Sequence, residues 1–374
     1  MKKIGFIFLM LFFSSAFLLY VSKSSQATKQ IVLEKEILEA PEIVEPVQKI
    51  KNVKGIHLTS WVAGSKKARK RIGALLKETE LNSIVIAIKE FQGEVYIPGV
   101  YLAEKNKLFV NAIPDIKEYL EQLKKDGVYT IARIVVFKDD GMARKMAELA
   151  VKKPDGTLWT DRQNRAWLDP YNKQVWDYNL TIASRAVELG FEEIQFDYIR
   201  YPSDGNIRLC RYSYAKHDST SAAKNLNAFL QEAARRLKPM GAELSIDIFG
   251  LTPSVEHDMG IGQKILQMTE WVDVISPMIY PSHYAKGEYG IANPNSQPYR
   301  VVHRTISDAK KRLEKSSARL RPYLQDFSLG VRYGEEEVKA QIKACEDLGI
   351  HEWLLWSPNC RYTRGALKSK SSAN

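Results

Sequence analysis

Eight short runs rich in β-branched and aromatic residues recur from Gly55 onwards, and helical patterns separate them. The runs are Gly55–Trp61, Ser83–Lys89, Tyr129–Phe137, Glu193–Tyr201, Glu243–Gly250, Val272–Tyr280, Arg321–Phe327 and Glu352–Ser357. Several are apolar on both faces, which suits strands buried within a parallel sheet. The helical patterns cover Lys66–Glu80, Pro114–Asp126, Lys173–Leu189, Ser221–Lys238, Ile261–Trp271, Val301–Lys315 and Glu335–Leu348, with Gly127, Gly190, Pro239 and Gly349 as stops. Strand and helix alternating in this way over roughly 310 residues predict an α/β chain folded as one (β/α)8 TIM barrel. A doubly wound sheet normally opens on a Gly-rich turn, and neither G-x-G-x-x-G nor a Walker sequence is present.

The 374 residues are 45% hydrophobic and 26% charged, which excludes a disordered chain and a polytopic membrane protein. Net charge is +11, and the chain stays basic without Lys2, Lys3 and Lys23 at its start. A basic surface suits nucleic acid, anionic lipid or an anionic cell-wall polymer. Nucleic acid requires a clustered footprint, whereas Lys and Arg here are scattered among Glu; the run Lys66–Arg71 reads as the solvated face of one helix. No nucleic-acid partner is therefore expected.

Lys2-Lys3 precede eighteen uncharged residues, Ile4 to Val21, and Ser25-Gln26-Ala27 suits cleavage after Ala27. Residues 1–27 are read as a signal peptide or, uncleaved, a membrane anchor, and the rest as exported to the extracellular side. Residues 28–53, with Pro41, Pro46 and five glutamates, read as a linker, residues 54–364 as the barrel and residues 365–374 as a disordered tail. Cys210, Cys345 and Cys360 match no metal spacing and are expected as free thiols.

Active sites of such barrels lie at the C-terminal ends of the strands. In the fourth run, Ile194 and Phe196 should face the helices while Gln195 and Asp197 face the axis; in the fifth, Ser245 and Asp247 face inward. Two like charges on neighbouring strands should drive their pKa values apart, as an acid paired with a nucleophile or base requires. The competing reading is that each Asp merely pairs with a basic neighbour such as Arg133 or Arg200, or caps the following loop. Candidate ligand contacts at the same ends are His57, Trp61, Glu90, Tyr198, Arg200, Tyr280, His283, Gln325, Asp326 and Trp356, the flat rings being suited to the apolar faces of sugars. No H-x-H or H-E-x-x-H spacing joins His57 and His283 to the aspartates, so no metal or other cofactor is expected. No G-x-S-x-G elbow is present, against acyl-transfer chemistry.

The segments Ile194–Pro202 (I-Q-F-D-Y-I-R-Y-P), Asp247–Gly250, Ser276–Tyr284 and Leu324–Phe327 resemble a bacterial family of glycoside hydrolase barrel domains, over residues 54 to 364. The resemblance implies a TIM-barrel carbohydrate-active protein at the cell surface, with Asp197 as a functional carboxylate. The expected activity is hydrolysis of a glycosidic bond in a polysaccharide of the cell envelope or surroundings. By analogy with amylase-type barrels, Asp197 is assigned as nucleophile and Asp247 as acid/base. Neighbouring strands lie about 4.8 Å apart, which favours a retaining mechanism. The alternatives are a noncatalytic, membrane-tethered glycan-binding barrel and a metal-dependent, deacetylase-like hydrolase.

Overall fold

The structure, a computed structural model, describes residues 52–370; the leader and nearly all of the linker lie outside them. Nine parallel strands close into a barrel: β1 (Lys54–Thr59), β2 (Ser83–Lys89), β3 (Tyr129–Val135), β4 (Glu193–Asp197), β5 (Glu243–Phe249), β6 (Val274–Ile279), β7 (Arg319–Leu320), β8 (Tyr323–Gln325) and β9 (Trp353–Trp356). Their order is β5-β4-β3-β2-β1-β9-β8-β6-β7, and pairing of β5 with β6 completes the circle. β7 and β8 both pair with β6 and together make one stave. Pro322 lies between them and has no N–H to offer the ladder. The result is the eight-stave TIM barrel that the alternation predicts.

Helices Lys66–Glu78, Ile116–Lys125, Lys173–Leu189, Ser219–Leu237, Pro298–Leu313 and Glu335–Asp347 surround it. The expected helix Ile261–Trp271 shrinks to Ile265–Met268. Gly260 and Gly262 hold φ at +69° and +81°, and a Cβ at Gly262 would sit 3.0 Å from both Tyr201 and Leu226. The first stave also ends early. Thr59 accepts a hydrogen bond from Val62 N at 3.3 Å and caps the short helix Ser60–Gly64, so Trp61 leaves the strand.

Inward and outward faces alternate as the period-2 pattern requires. Ile194, Phe196, Leu244, Ile246 and Ile248 belong to the outer core shared with the helices, and Phe196 meets Phe229 edge-on at 5.4 Å. The axis is filled in layers. At the N-terminal end, Arg321 pairs with Glu193 and Glu352, and Arg319 with Glu243 and Glu352. Above them, Tyr323 donates to Gln195 at 2.7 Å beside Val85, Ile131 and Leu354. At the C-terminal end the inward residues are Arg133, Asp197 and Asp247.

The last described residues differ from the expected free tail. Lys368 N donates to Glu80 Oε1 (2.9 Å), Glu80 N to Lys368 O (3.0 Å), and Ser369 bridges Thr79, so the backbone of this segment is paired. Cys210, Cys345 and Cys360 are free thiols.

Candidate active site

The fourth stave ends at Asp197, and the fifth carries Asp247 at the matching level, one step beyond the Phe196–Ile246 pairing. Both carboxyls are out of bulk water, at 3% and 1% exposure. They differ in their partners. Arg133, inward on β3, donates to Asp197 Oδ2 from Nη2 (2.5 Å) and Nε (3.1 Å), and reaches Glu90 from Nη1 (3.2 Å). The same Nε lies 3.9 Å from Asp247 Oδ2, outside hydrogen-bond range. Asp247 Oδ1 is buried with no protein partner.

This asymmetry separates the pair. Burial pushes the Asp247 carboxyl well above the usual carboxylate range, the charge of Asp197 adds to the rise, and Arg133 only partly opposes it. Asp247 is therefore the group that holds a proton, while Asp197 carries the ion pair. The two Oδ2 atoms, at 3.1 and 3.9 Å from one nitrogen, lie at most about 7 Å apart.

Local backbone serves this arrangement. Tyr198 follows the strand at φ +50°, a left-handed conformation that costs a non-glycine residue roughly 1 kcal/mol or more. In return its N–H turns onto Asp197 Oδ1 at 2.6 Å. Val136 N donates to Asp197 O at 2.9 Å and prolongs the ladder past β3. After β5, Gly250 permits close approach: a Cβ there would lie 2.5 Å from both the Met278 carbonyl and the Tyr284 hydroxyl.

Both aspartates open into a cavity of about 580 Å³, within the size range of ligand pockets. Of the residues expected from the sequence, Asp197, Asp247, Tyr198, Arg200, Tyr280, His283 and Trp356 line it. Tyr280 and Trp356 lie at 5.5 Å with 31° between their planes, and Phe327 stands edge-on to Trp356 at 5.1 Å. Glu90 acts on the site indirectly, through its ion pair with Arg133.

Four of the expected residues stand elsewhere. His57 lies within the barrel, its ring 6.4 Å from that of Trp356, with both nitrogens unpartnered. Burial first, and then Arg133, lower its pKa well below the ordinary value. Trp61, 60% exposed, packs edge-on against Tyr96 outside the cavity. Gln325 is consumed by the backbone, accepting from Ser282 N (3.1 Å) and donating to Phe327 O (2.9 Å). Asp326 ties down the chain end, accepting from Thr363 N (2.8 Å) and Oγ1 (2.7 Å).

Sequence reasoning treated Arg133 only as a possible ion-pair partner and did not single out Phe249, Met278, Tyr323 or Glu288 as cavity residues. The period-2 face of Tyr129, Ile131 and Arg133 was the available signal for the first of these. Among the described residues no group of His, Cys, Asp and Glu is arranged to hold a metal ion.

Comparison with known proteins agrees with the fold. A family described as "putative glycosyl hydrolase domain" matches residues 55–362. The glycoside hydrolase domain of PgaB (BpsB) from Bordetella bronchiseptica superposes with a TM-score of 0.60 at 13% identity, over 86% of this chain and 99% of that one. The α-galactosidase TtGalA of Thermus thermophilus, solved with p-nitrophenyl α-D-galactopyranoside, gives 0.51 at 11% identity, over 82% and 58%. A hypothetical protein from Ruminiclostridium thermocellum is 34% identical, over 51% of this chain and 96% of that one, with a TM-score of 0.47. No curated protein matches.

Proposed function

This chain belongs to the family of glycosyl hydrolase domains that matches residues 55–362, and from that premise we propose that it is an exported, retaining glycoside hydrolase acting on a polysaccharide of the cell envelope or its surroundings. The observation that carries this reading is the split carboxyl pair in one cavity. Asp197 is hydrogen-bonded and ion-paired with Arg133, whereas Asp247 meets the same guanidinium only at 3.9 Å, without a hydrogen bond, and its pKa is pushed upward.

In the first step Asp247 gives its proton to the glycosidic oxygen as that bond to the anomeric carbon breaks, and an Asp197 oxygen bonds to the same carbon. The leaving sugar departs as an alcohol, and a glycosyl ester remains on Asp197. In the second step the Asp247 carboxylate takes a proton from water, whose oxygen bonds to the anomeric carbon and releases Asp197. The Tyr280–Trp356 pair offers the apolar faces on which a sugar ring is held. Close spacing on adjacent strands supports retention. Export rests on the basic, apolar and small-residue order of residues 2–27, with attachment to the membrane if that segment is retained.

The test is reducing-end release from a panel of bacterial exopolysaccharides, cell-wall fractions and plant glucans by the wild type, Asp197→Asn and Asp247→Asn. Release by the wild type and loss by orders of magnitude in both variants is the expected result. No release from any of them, with retention on one glycan that survives both substitutions, would replace this reading with that of a glycan-binding barrel.

A further inference from the structure

Among the described residues, the buried Lys and Arg side chains have carboxylate partners, with one exception. Lys89 pairs with Asp139 at 2.8 Å, Lys138 with Asp161 at 3.0 Å, Arg133 with Asp197 at 2.5 Å and Arg321 with Glu193 at 3.0 Å. Arg200 is 7% exposed, yet among the described residues no carboxylate lies within ion-pair distance of it. Its protein hydrogen bonds all leave from Nη1, to Tyr201 O at 3.0 Å and Ser203 Oγ at 3.1 Å. Nε and Nη2 have no protein partner among the described residues.

The guanidinium sits among the rings of Phe249 (4.6 Å), Tyr198 (4.9 Å) and Trp167 (5.0 Å). These attract a cation but supply no counter-charge. Burial lowers its pKa, and Tyr198, Asp197, Asp204 and Asp161 oppose that only through space. Glu288, which lines the same cavity from the loop after β6, makes no ion pair with it. An unpaired charge is costly to bury. The cost is offset when a ligand brings the missing anion, and Arg200 lines the cavity that also holds Asp197 and Asp247.

We propose that Arg200 is an anion subsite of this cleft and that the glycan it takes up carries a carboxylate on the sugar bound there. The free Nε–Nη2 edge is a planar fork, whose geometry matches the two oxygens of a carboxylate. An acidic polysaccharide of the uronic-acid kind is the substrate class. The inference rests on reading this cavity as the substrate cleft, but not on turnover.

The experiment measures binding of the purified chain to polygalacturonate, alginate and hyaluronan, each beside its carboxyl-reduced counterpart, for the wild type, Arg200→Gln and Arg200→Lys. Melting temperatures check folding. For at least one polymer pair the wild type should favour the native form by roughly ten- to a hundredfold, the effect of a hydrogen-bonded charge pair. That ratio should fall towards one in Arg200→Gln and be intermediate in Arg200→Lys, which keeps the charge without the fork. The net charge of +11 attracts any polyanion, but one substitution barely alters it, so a preference that survives Arg200→Gln would overturn the proposal. A wild-type ratio near one for all three polymers would overturn it as well, even if Arg200→Gln does not fold. Cleavage of a neutral glycan with no such preference would leave the hydrolase reading standing without this one.

Discussion

Arg133 links both carboxyls of the site to Glu90, and replacing it with methionine keeps much of the stem while deleting the charge. Asp197, at 4% side-chain exposure, then loses both bonds to Oδ2 and keeps the one from Tyr198 N. Breaking one side of a buried ion pair costs about 3–5 kcal/mol, because the remaining charge is left uncompensated. The retained N–H bond and the 19% exposure of Glu90 place the expected loss near the lower end, about 3 kcal/mol. For a domain of this length that corresponds to a fall in Tm of about 5 °C at pH 7.5. Thermal unfolding followed by circular dichroism measures it, and Arg133→Met in an Asp197→Asn background should cost clearly less. No loss at pH 7.5, or a loss as large in the Asp197→Asn background, would refute the claim that Arg133 holds the charge of Asp197.

The raised pKa of Asp247 has two consequences. Stability that the protonated group permits at low pH is lost as pH rises through its folded-state value, so Asp247→Asn should raise Tm more at pH 8.5 than at pH 5 while abolishing turnover. The acid form also persists beyond the range of an ordinary aspartate, so kcat/KM of the wild type should decline only as pH passes that elevated value, as a pH–rate profile would show. Trp356→Ala removes one face of the Tyr280–Trp356 pair and should weaken glycan retention about tenfold, measured by affinity electrophoresis. Trp61→Ala, outside the cavity, should change turnover and stability by no more than about 0.5 kcal/mol.

The barrel was legible in the sequence because each stave carries its own alternation, and alternation sets which side chains meet at the axis. Gln195, Asp197, Ser245 and Asp247 share the inward face for that reason. What lay beyond local pattern was misplaced. Trp61 follows a strand, but the cap made by Thr59 turns it outward. Gln325 and Asp326 end a stave yet serve Ser282 and Thr363, distant in sequence, and no local period reveals such partners. The seventh run, read from Arg321, left out β7, which Pro322 separates from β8. Arg133 was visible as an inward residue, but its hydrogen bonds to Asp197 and its longer, 3.9 Å approach to Asp247 depend on how neighbouring strands lie side by side.

The central claim is that Asp197 and Asp247 divide the work of glycoside cleavage, and azide rescue tests it residue by residue. Asp197→Ala should regain turnover of an activated aryl glycoside in azide and release a glycosyl azide of inverted anomeric configuration, because azide replaces the nucleophile. Asp247→Ala should release one of retained configuration, because the Asp197 ester forms first. Exchanged configurations would reverse the two roles, and an Asp197→Ala variant that folds and turns over at the wild-type rate without azide would contradict the account.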